Sequence, residues 1–374
     1  MTETIVTHKT YQERVYLSSA GYGRIREVLG ACRWLYNRFL EERRNTYRAC
    51  GKGISKFAQM KQLTRLRAKS QWWRELSVQI ARGVLVRVER SFQSFFRRVK
   101  AGDKPGYPRF RSSGRYRCIE LAEVTPAMVK GNRICVKGLP SMWIRPSRKL
   151  PDGGQLQALR FVMRGRHLWA DLVYREQVVP LPQNDSIVGV DLGVNQRMTL
   201  SSGEVVERRI VDRRRERRLQ RAVSRCQMGS NGRRKAVAAF ATEKRRNAMR
   251  NRGGCHVITT DLVRRYGTVV MEDLKVRSMT AAGGVHKRGL NREVLAQTWG
   301  MIRQQLAYKA EWAGRKLVEV NPAYTSRTCA ACGVVNAKAK AYRVFECTGC
   351  GHVADRDVNA ARNIMARGAF APVA

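Results

Sequence analysis

Nowhere in this chain do apolar residues run on for the roughly 18 positions that a membrane-spanning helix needs. Acids are scarce too, with 29 Asp and Glu against 73 Lys and Arg. The first absence excludes a protein anchored by apolar helices. Basic residues are spread along the whole chain instead of gathering beside an apolar anchor, so a membrane surface is not the expected partner either. The second absence leaves a formal charge of +44, which would repel itself unless a large polyanion were the normal partner, and nucleic acid is that polyanion. The start, MTETIVTHKTYQERVYL, lacks a basic head followed by an apolar core. No secretory signal is therefore expected, and the chain is placed in a reducing, cytoplasmic compartment.

With 374 residues of which 43% are hydrophobic, the chain can fill ordinary cores in two or three domains. Six of its ten cysteines (Cys32, Cys50, Cys118, Cys135, Cys226, Cys255) stand singly and read as buried thiols. The other four form CAAC and CTGC pairs separated by fourteen residues, the spacing of a zinc ribbon in which two turn knuckles bring Cys329, Cys332, Cys347 and Cys350 to one tetrahedral ion. Gly333 and Gly351, directly after each pair, suit the knuckle turns. Four sulfurs leave no open position, so the zinc is structural and His352 is a surface residue. Small basic zinc proteins of the ribosomal kind share this composition; length and acidic motifs have to decide.

Residues 5–17 read as a strand and Gly23 to about Cys50 as a helix, with a second helix after Gly53. Leu76, Ile80, Val84, Val88, Phe92, Phe95, Phe96 and Val99 recur at helical spacing, which predicts a long amphipathic helix ending at Gly102 with its apolar stripe in the core. The loop KPGYPRF follows, and its Lys104 and Arg109 are placed to meet a nucleic-acid backbone. Short β-rich runs from about Arg115 to Glu176 suggest a small antiparallel barrel that the first strand could join. VVPLPQNDS (Val178 to Ser186) reads as a linker between domains. Beyond it, IVGVDLGV and TVVMEDL read as buried strands, MTLSSGEVVE as a hairpin turning at Ser202 and Gly203, and Asn291 to Gly314 as one helix. Residues 207–252 carry 17 Lys or Arg against 4 Asp or Glu, in two helices joined at Gly229 to Gly232. That one-sided excess argues for phosphate contact. The stretch from Ala281 to Gly289 reads as a mobile loop, and the closing FAPVA as frayed.

Three acids stand where a carboxylate is costly without a partner or a metal. Asp191 and Glu272 each close an apolar strand. In DRDVNAARNI, Asp357 shares a helix face with Ala360, Ala361 and Ile364, while Asp355 suits the N-cap. Inward carboxylates at the ends of strands and a helix are what two Mg²⁺ ions need for phosphodiester cleavage.

Taken with CRWLYNRFLEER, FFRRVKAGDKPGYPRF, VGVDLGV, VVMEDLKVRSM and the two cysteine pairs, DRDVNAARNI makes the chain resemble the TnpB proteins of bacterial insertion sequences, relatives of the compact type V CRISPR effectors. The resemblance implies an α+β multidomain protein: a wedge-like β-barrel (residues 1–22 and 103–178), a helical recognition insert (23–102), an RNase H-like RuvC nuclease domain (187–324 and 352–367), a zinc ribbon (325–351) and a flexible tail (368–374). It further implies an RNA-guided DNA endonuclease with Asp191, Glu272 and Asp357 as catalytic acids holding Mg²⁺, or Mn²⁺, and with structural Zn²⁺. The implied partners are a guide RNA from its own element and double- and single-stranded target DNA, bound by a monomer in a bacterial cytoplasm. Lys56, Gln79 and Arg82 fall where the family reads the short motif flanking its target. A catalytically silent RNA-guided regulator and a compact CRISPR effector are the alternatives.

Overall fold

The computed structural model describes residues 4–151, 154–207, 213–281, 284–336 and 343–369. Two compact units divide the chain, residues 6–177 and, with the first five residues, 178–374. No described helix is long and apolar enough to cross a membrane.

The first unit begins with strand β1 (Ile5–Tyr16), on which Tyr11, Glu13 and Val15 alternate inward. Four helices follow: α1 (Ser19–Cys50), α2 (Lys56–Lys69), α3 (Gln71–Glu75) and α4 (Val78–Lys100). Helix α1 starts four residues before Gly23, because the Ser18 hydroxyl accepts from the Gly21 N–H at 3.1 Å and so caps it. The strands β2 (Cys118–Glu120), β3 (Val129–Lys130), β4 (Arg133–Ile134), β5 (Met142–Ile144), β6 (Gln155–Arg164) and β7 (His167–Val178) complete the unit.

These strands and β1 form one seven-stranded sheet in the order β2-β6-β7-β1-β5-β4-β3. It curls as a half-barrel. Among the described residues β2 and β3 remain its two ends, so the sheet does not close as the barrel expected from the sequence. The four helices lie in sequence between β1 and β2, and their apolar faces share one core with the sheet, in which Leu35, Leu40 and Leu85 join Ile119, Phe161 and Leu172. The α4 stripe is buried only as far as Phe92. Phe96 and Val99 are exposed, Phe95 and Phe96 meet edge-on, and Phe92 and Phe95 each meet Tyr107 of the following loop.

The second unit carries β8 (Ile187–Asp191), β9 (Met198–Leu200), β10 (Val205–Val206), α5 (Arg214–Arg225), α6 (Asn231–Arg265), β11 (Thr268–Glu272), α7 (Val276–Met279), α8 (Val285–Gln297), α9 (Trp299–Ala313), β12 (Lys316–Val320), β13 (Val344–Glu346), β14 (Val353–Asp355) and α10 (Arg356–Ala369). Its five-stranded sheet runs β10-β9-β8-β11-β12. An antiparallel meander through β8, β9 and β10 is extended by β11 and β12, both parallel to β8. A three-strand meander whose first strand takes a parallel neighbour, which in turn takes a second parallel strand, is the RNase H-like order. Strand β11 is buried on both faces, as a covered parallel sheet requires. Val269 and Met271 join a core with Ile302 and Leu306 of α9 and Leu262 of α6, whereas Val270 packs with Ile364 of α10.

Several sequence expectations change here. The single helix expected from Asn291 to Gly314 is two, α8 and α9, and they break at Thr298, a β-branched residue at φ 60°. Gly232 lies within α6, so the basic hairpin turns before it, at 226–230. Of the six single cysteines only Cys32 and Cys255 are buried, and Cys50 and Cys135 are exposed. Helical periodicity could not separate them, since a thiol is small enough for either face. Parts of the loop after Ala281 and of the basic segment, and the tail from Phe370, lie outside the described residues.

Candidate nuclease centre and zinc ribbon

Asp191 and Glu272 close β8 and β11, neighbouring parallel strands that run in register with Val190 beside Met271. Both carboxylates therefore emerge at the same sheet edge. Asp357 reaches that edge from the first turn of α10, which crosses β8 so closely that a Cβ on Gly189 would lie 2.0 Å from the Ala361 carbonyl oxygen. Glycine at 189 is what lets the helix, and with it Asp357, approach the strand. The neighbouring acid acts differently. Asp355 Oδ1 accepts from the N–H groups of Asp357 and Val358 at 2.9 and 3.0 Å, so it caps α10 and stays exposed.

The electrostatics tie the three together. Burial, followed by the charges of Glu272 and Asp357, pushes Asp191 up to about 7. Burial also raises Glu272 and Asp357 above the usual carboxylate range. Acids held this way are short of positive charge, which a divalent cation would supply. The Thr325 hydroxyl donates to Glu272 Oε1 and works the other way, favouring the ionised carboxylate.

The ribbon is built on two matching turns. Gly333 and Gly351 sit at φ 78° and 69°, and their N–H groups return to the Cys329 and Cys347 carbonyls at 3.0 and 3.1 Å. The Sγ atoms of Cys332 and Cys347 are 3.5 Å apart, those of Cys329 and Cys350 3.8 Å, and all four lie within 4.8 Å of one another. A tetrahedral zinc with bonds of about 2.3 Å spaces its sulfurs by about 3.8 Å, so the quartet fits. The N–H groups of Cys350 and Gly349 point at Cys347 Sγ and lower its thiol, favouring the thiolate a metal binds. Among the described residues this quartet is the one cluster compact enough for a single ion, and His352 is not part of it. Asn336 clasps the two knuckles, donating to the Glu346 carbonyl at 2.7 Å and accepting from the Thr348 N–H at 3.1 Å.

Two residues that sequence reasoning passed over join ribbon and helix. Asn359 Nδ2 donates to the Thr328 carbonyl at 2.8 Å and its Oδ1 accepts from the Ala330 N–H at 2.9 Å. Asn363 Nδ2 donates to the carbonyls of Thr325 and Thr328 at 2.9 and 2.7 Å. The signal available was a pair of asparagines four apart on the face that Ala360 and Ile364 mark as buried.

The residues picked for nucleic-acid contact all lie in the first unit. Lys104 and Arg109 are exposed on the loop after α4, and Lys56 is partly exposed on the first turn of α2. Arg67 is lowered by burial and, after it, by the charge of Arg82. Gln79 donates to Glu123 at 2.9 Å within its own unit, and a nucleic-acid contact through that amide would have to displace this bond. The basic hairpin of α5 and α6 buries Glu243 and Asn247 as its clasp. Arg215 and Arg246 lie 3.4 and 3.8 Å from Glu243, and Asn247 donates to Glu216 at 2.9 Å.

An α+β chain with an RNase H-like sheet and a four-cysteine ribbon before its last helix defines a narrow class, and known proteins share it. The IS605 OrfB model, described as a probable transposase, matches residues 171–282, and a Cas12f1-like TNB domain matches 299–364. A helix-turn-helix domain model of the same OrfB group matches residues 7–52, which here are β1 and α1. InsQ of Escherichia coli, named as an RNA-guided DNA endonuclease, is 33% identical over 92% of this chain and 88% of its own length. A Streptomyces pristinaespiralis protein with the same functional name is 31% identical over 96% and 89%. The protein chain in a cryo-EM structure of a Cas12f1-sgRNA-target DNA complex has this fold, with a TM-score of 0.59 and 15% identity over 97% of this chain and 99% of that one. The chain belongs to the OrfB family of IS605-type elements, the TnpB proteins.

Proposed function

We propose that the protein is an RNA-guided DNA endonuclease of RuvC type. It would bind a guide RNA from its own element as one protein with one RNA, read a short motif beside the target, and cut DNA with divalent metal held by Asp191, Glu272 and Asp357. The observation that carries this reading is the convergence of the three acids at one sheet edge, each raised by burial, in a chain whose relatives over nearly its whole length are named RNA-guided DNA endonucleases. Mg²⁺ at such carboxylates activates a water and stabilises the leaving oxygen.

The protein's own groups set up the site. β8 and β11 hold Asp191 and Glu272 side by side, and Thr325 orients Glu272 and partly offsets the effect of its burial. Asp355 fixes the start of α10, and with it Asp357. The zinc quartet, through Asn359 and Asn363, anchors the same helix. The excess of basic residues, with Lys56, Gln79, Arg82, Lys104 and Arg109 as candidate contacts, suits an RNA and a DNA partner together. Purified with its co-expressed RNA and given matching double-stranded DNA, the protein should cut in Mg²⁺, and Asp191→Ala should not. Binding without any cut by the parent chain would favour the silent regulator. The sequence of the copurified RNA separates an insertion-element guide from one of a CRISPR array.

A further inference from the structure

A cavity of about 320 Å³ opens beside Glu272, lined by α7 and the first turn of α9. Leu192, Met271 and Trp299 line it with buried apolar surface, and Lys275, Arg277 and Arg303 line its outer part. Lys275 and Arg303 are both paired with Asp273, and Arg303 with Glu319 as well. Arg277 is exposed, and no acid pairs with it among the described residues. Two features of α9 add to this charge. No side chain caps the first turn after Thr298, which leaves the positive end of the helix dipole for an anion. Gly300 on that turn has nothing within 4 Å of where a Cβ would stand, so the backbone there is open to close approach.

Apolar walls, an unpaired arginine and an uncapped helix start suit a group that is flat at one end and anionic at the other. The volume is at the lower end of the roughly 300–1,000 Å³ of small-ligand pockets, enough for one unstacked nucleotide and too little for a duplex. We infer that this cavity is a single-nucleotide subsite for the DNA strand to be cut, its base against Trp299 and Leu192 and its phosphate held by Arg277 and the first turn of α9. The assignment rests on the nuclease reading, because Glu272 forms one wall and the next phosphodiester would fall at the acids.

Photo-cross-linking tests it. The full chain with its RNA, in Ca²⁺, is irradiated with a short single-stranded DNA oligonucleotide carrying 4-thiothymidine, and the cross-linked peptides are identified by mass spectrometry. Cross-links are expected within Lys275–Ser278 or Trp299–Arg303. Gly300→Trp sets a bulky side chain on the cavity wall at a position where a Cβ itself meets nothing within 4 Å, and should reduce them about tenfold, in line with the loss of one stacked base. Cross-links elsewhere should persist, and Gly300→Ala should keep all of them. Arg277→Ala should flatten the dependence of log affinity on log salt by about 1. No cross-link in either segment, an undiminished one in a folded Gly300→Trp variant, or stronger cross-linking of these segments by a matching RNA oligonucleotide carrying 4-thiouridine would overturn the subsite. Cleavage is scored separately in Mg²⁺: a retained cross-link without cutting removes the nuclease reading alone, and cutting without the cross-link removes the subsite alone.

Discussion

Asn359 Nδ2 donates to the carbonyl of Thr328, the residue directly before the first zinc cysteine, at 2.8 Å. Through that bond the helix bearing Asp357 and the loop bearing Cys329 hold each other. Asn359 is fully buried, so removing its amide leaves the Ala330 N–H without its partner and the Thr328 carbonyl held by Asn363 alone. Asn359→Ala should destabilise the unit by about 1–3 kcal/mol and lower cleavage with it, as read by urea unfolding and by the cleavage assay. An unchanged midpoint would separate ribbon from helix.

The zinc should matter to cleavage only through this scaffold. Cys347→Ser is expected to lower bound zinc, measured by atomic emission, and to impair cutting indirectly, because the ribbon's folding energy is largely the metal's. Full activity with zinc absent would refute that dependence.

Thr325→Val removes the hydroxyl that supports Glu272 and keeps the side chain's shape. Partners of this kind are worth tenfold or more in metal affinity, so the Mg²⁺ concentration for half-maximal cleavage should rise roughly tenfold. An unshifted Mg²⁺ titration would mean that Glu272 needs no such support.

Gly189→Ala tests the close crossing of α10 over β8. The added methyl would overlap the Ala361 carbonyl and crowd Met365. The variant should lose about 1–3 kcal/mol or more of stability, and cleavage should fall as Asp357 moves off the sheet edge. Thermal unfolding reports the first effect and single-turnover cleavage the second.

Lys309 gives a pH signature outside the acid centre. Its Nζ donates to the His256 carbonyl at 2.8 Å and to the Thr259 and Thr260 hydroxyls, each at 2.7 Å, and partial burial lowers it to about 8. Across the window from there up to the ordinary lysine value of about 10.4, the unfolded chain binds more protons, so this group's contribution to stability rises with pH. Below the window the cost of burying its charge is fully present. Discounted for solvent screening, the rise should be under about 1 kcal/mol, and it should vanish in Lys309→Met when urea midpoints are compared between pH about 8 and about 10.

The sequence by itself determined the quartet of cysteines, the buried strands that end in Asp191 and Glu272, and the N-cap at Asp355, because each is written in local spacing: CxxC turns, apolar runs and an acid two residues before another. It also showed the basic excess. What it could not show depended on residues far apart in the chain. The break at Thr298 is a single left-handed backbone turn at φ 60°, and helical periodicity runs straight through it. The order of the strands in the half-barrel, with β2 and β3 at its ends, joins residues far apart in the chain, which alternation does not encode. Asn359, Asn363 and Thr325 look ordinary in sequence. The crossing of α10 over Gly189 brings the two asparagines to carbonyls and an N–H group more than twenty residues away, and the pairing of β12 with β11 sets Thr325 near the Glu272 carboxylate, where a buried polar group must find its partner.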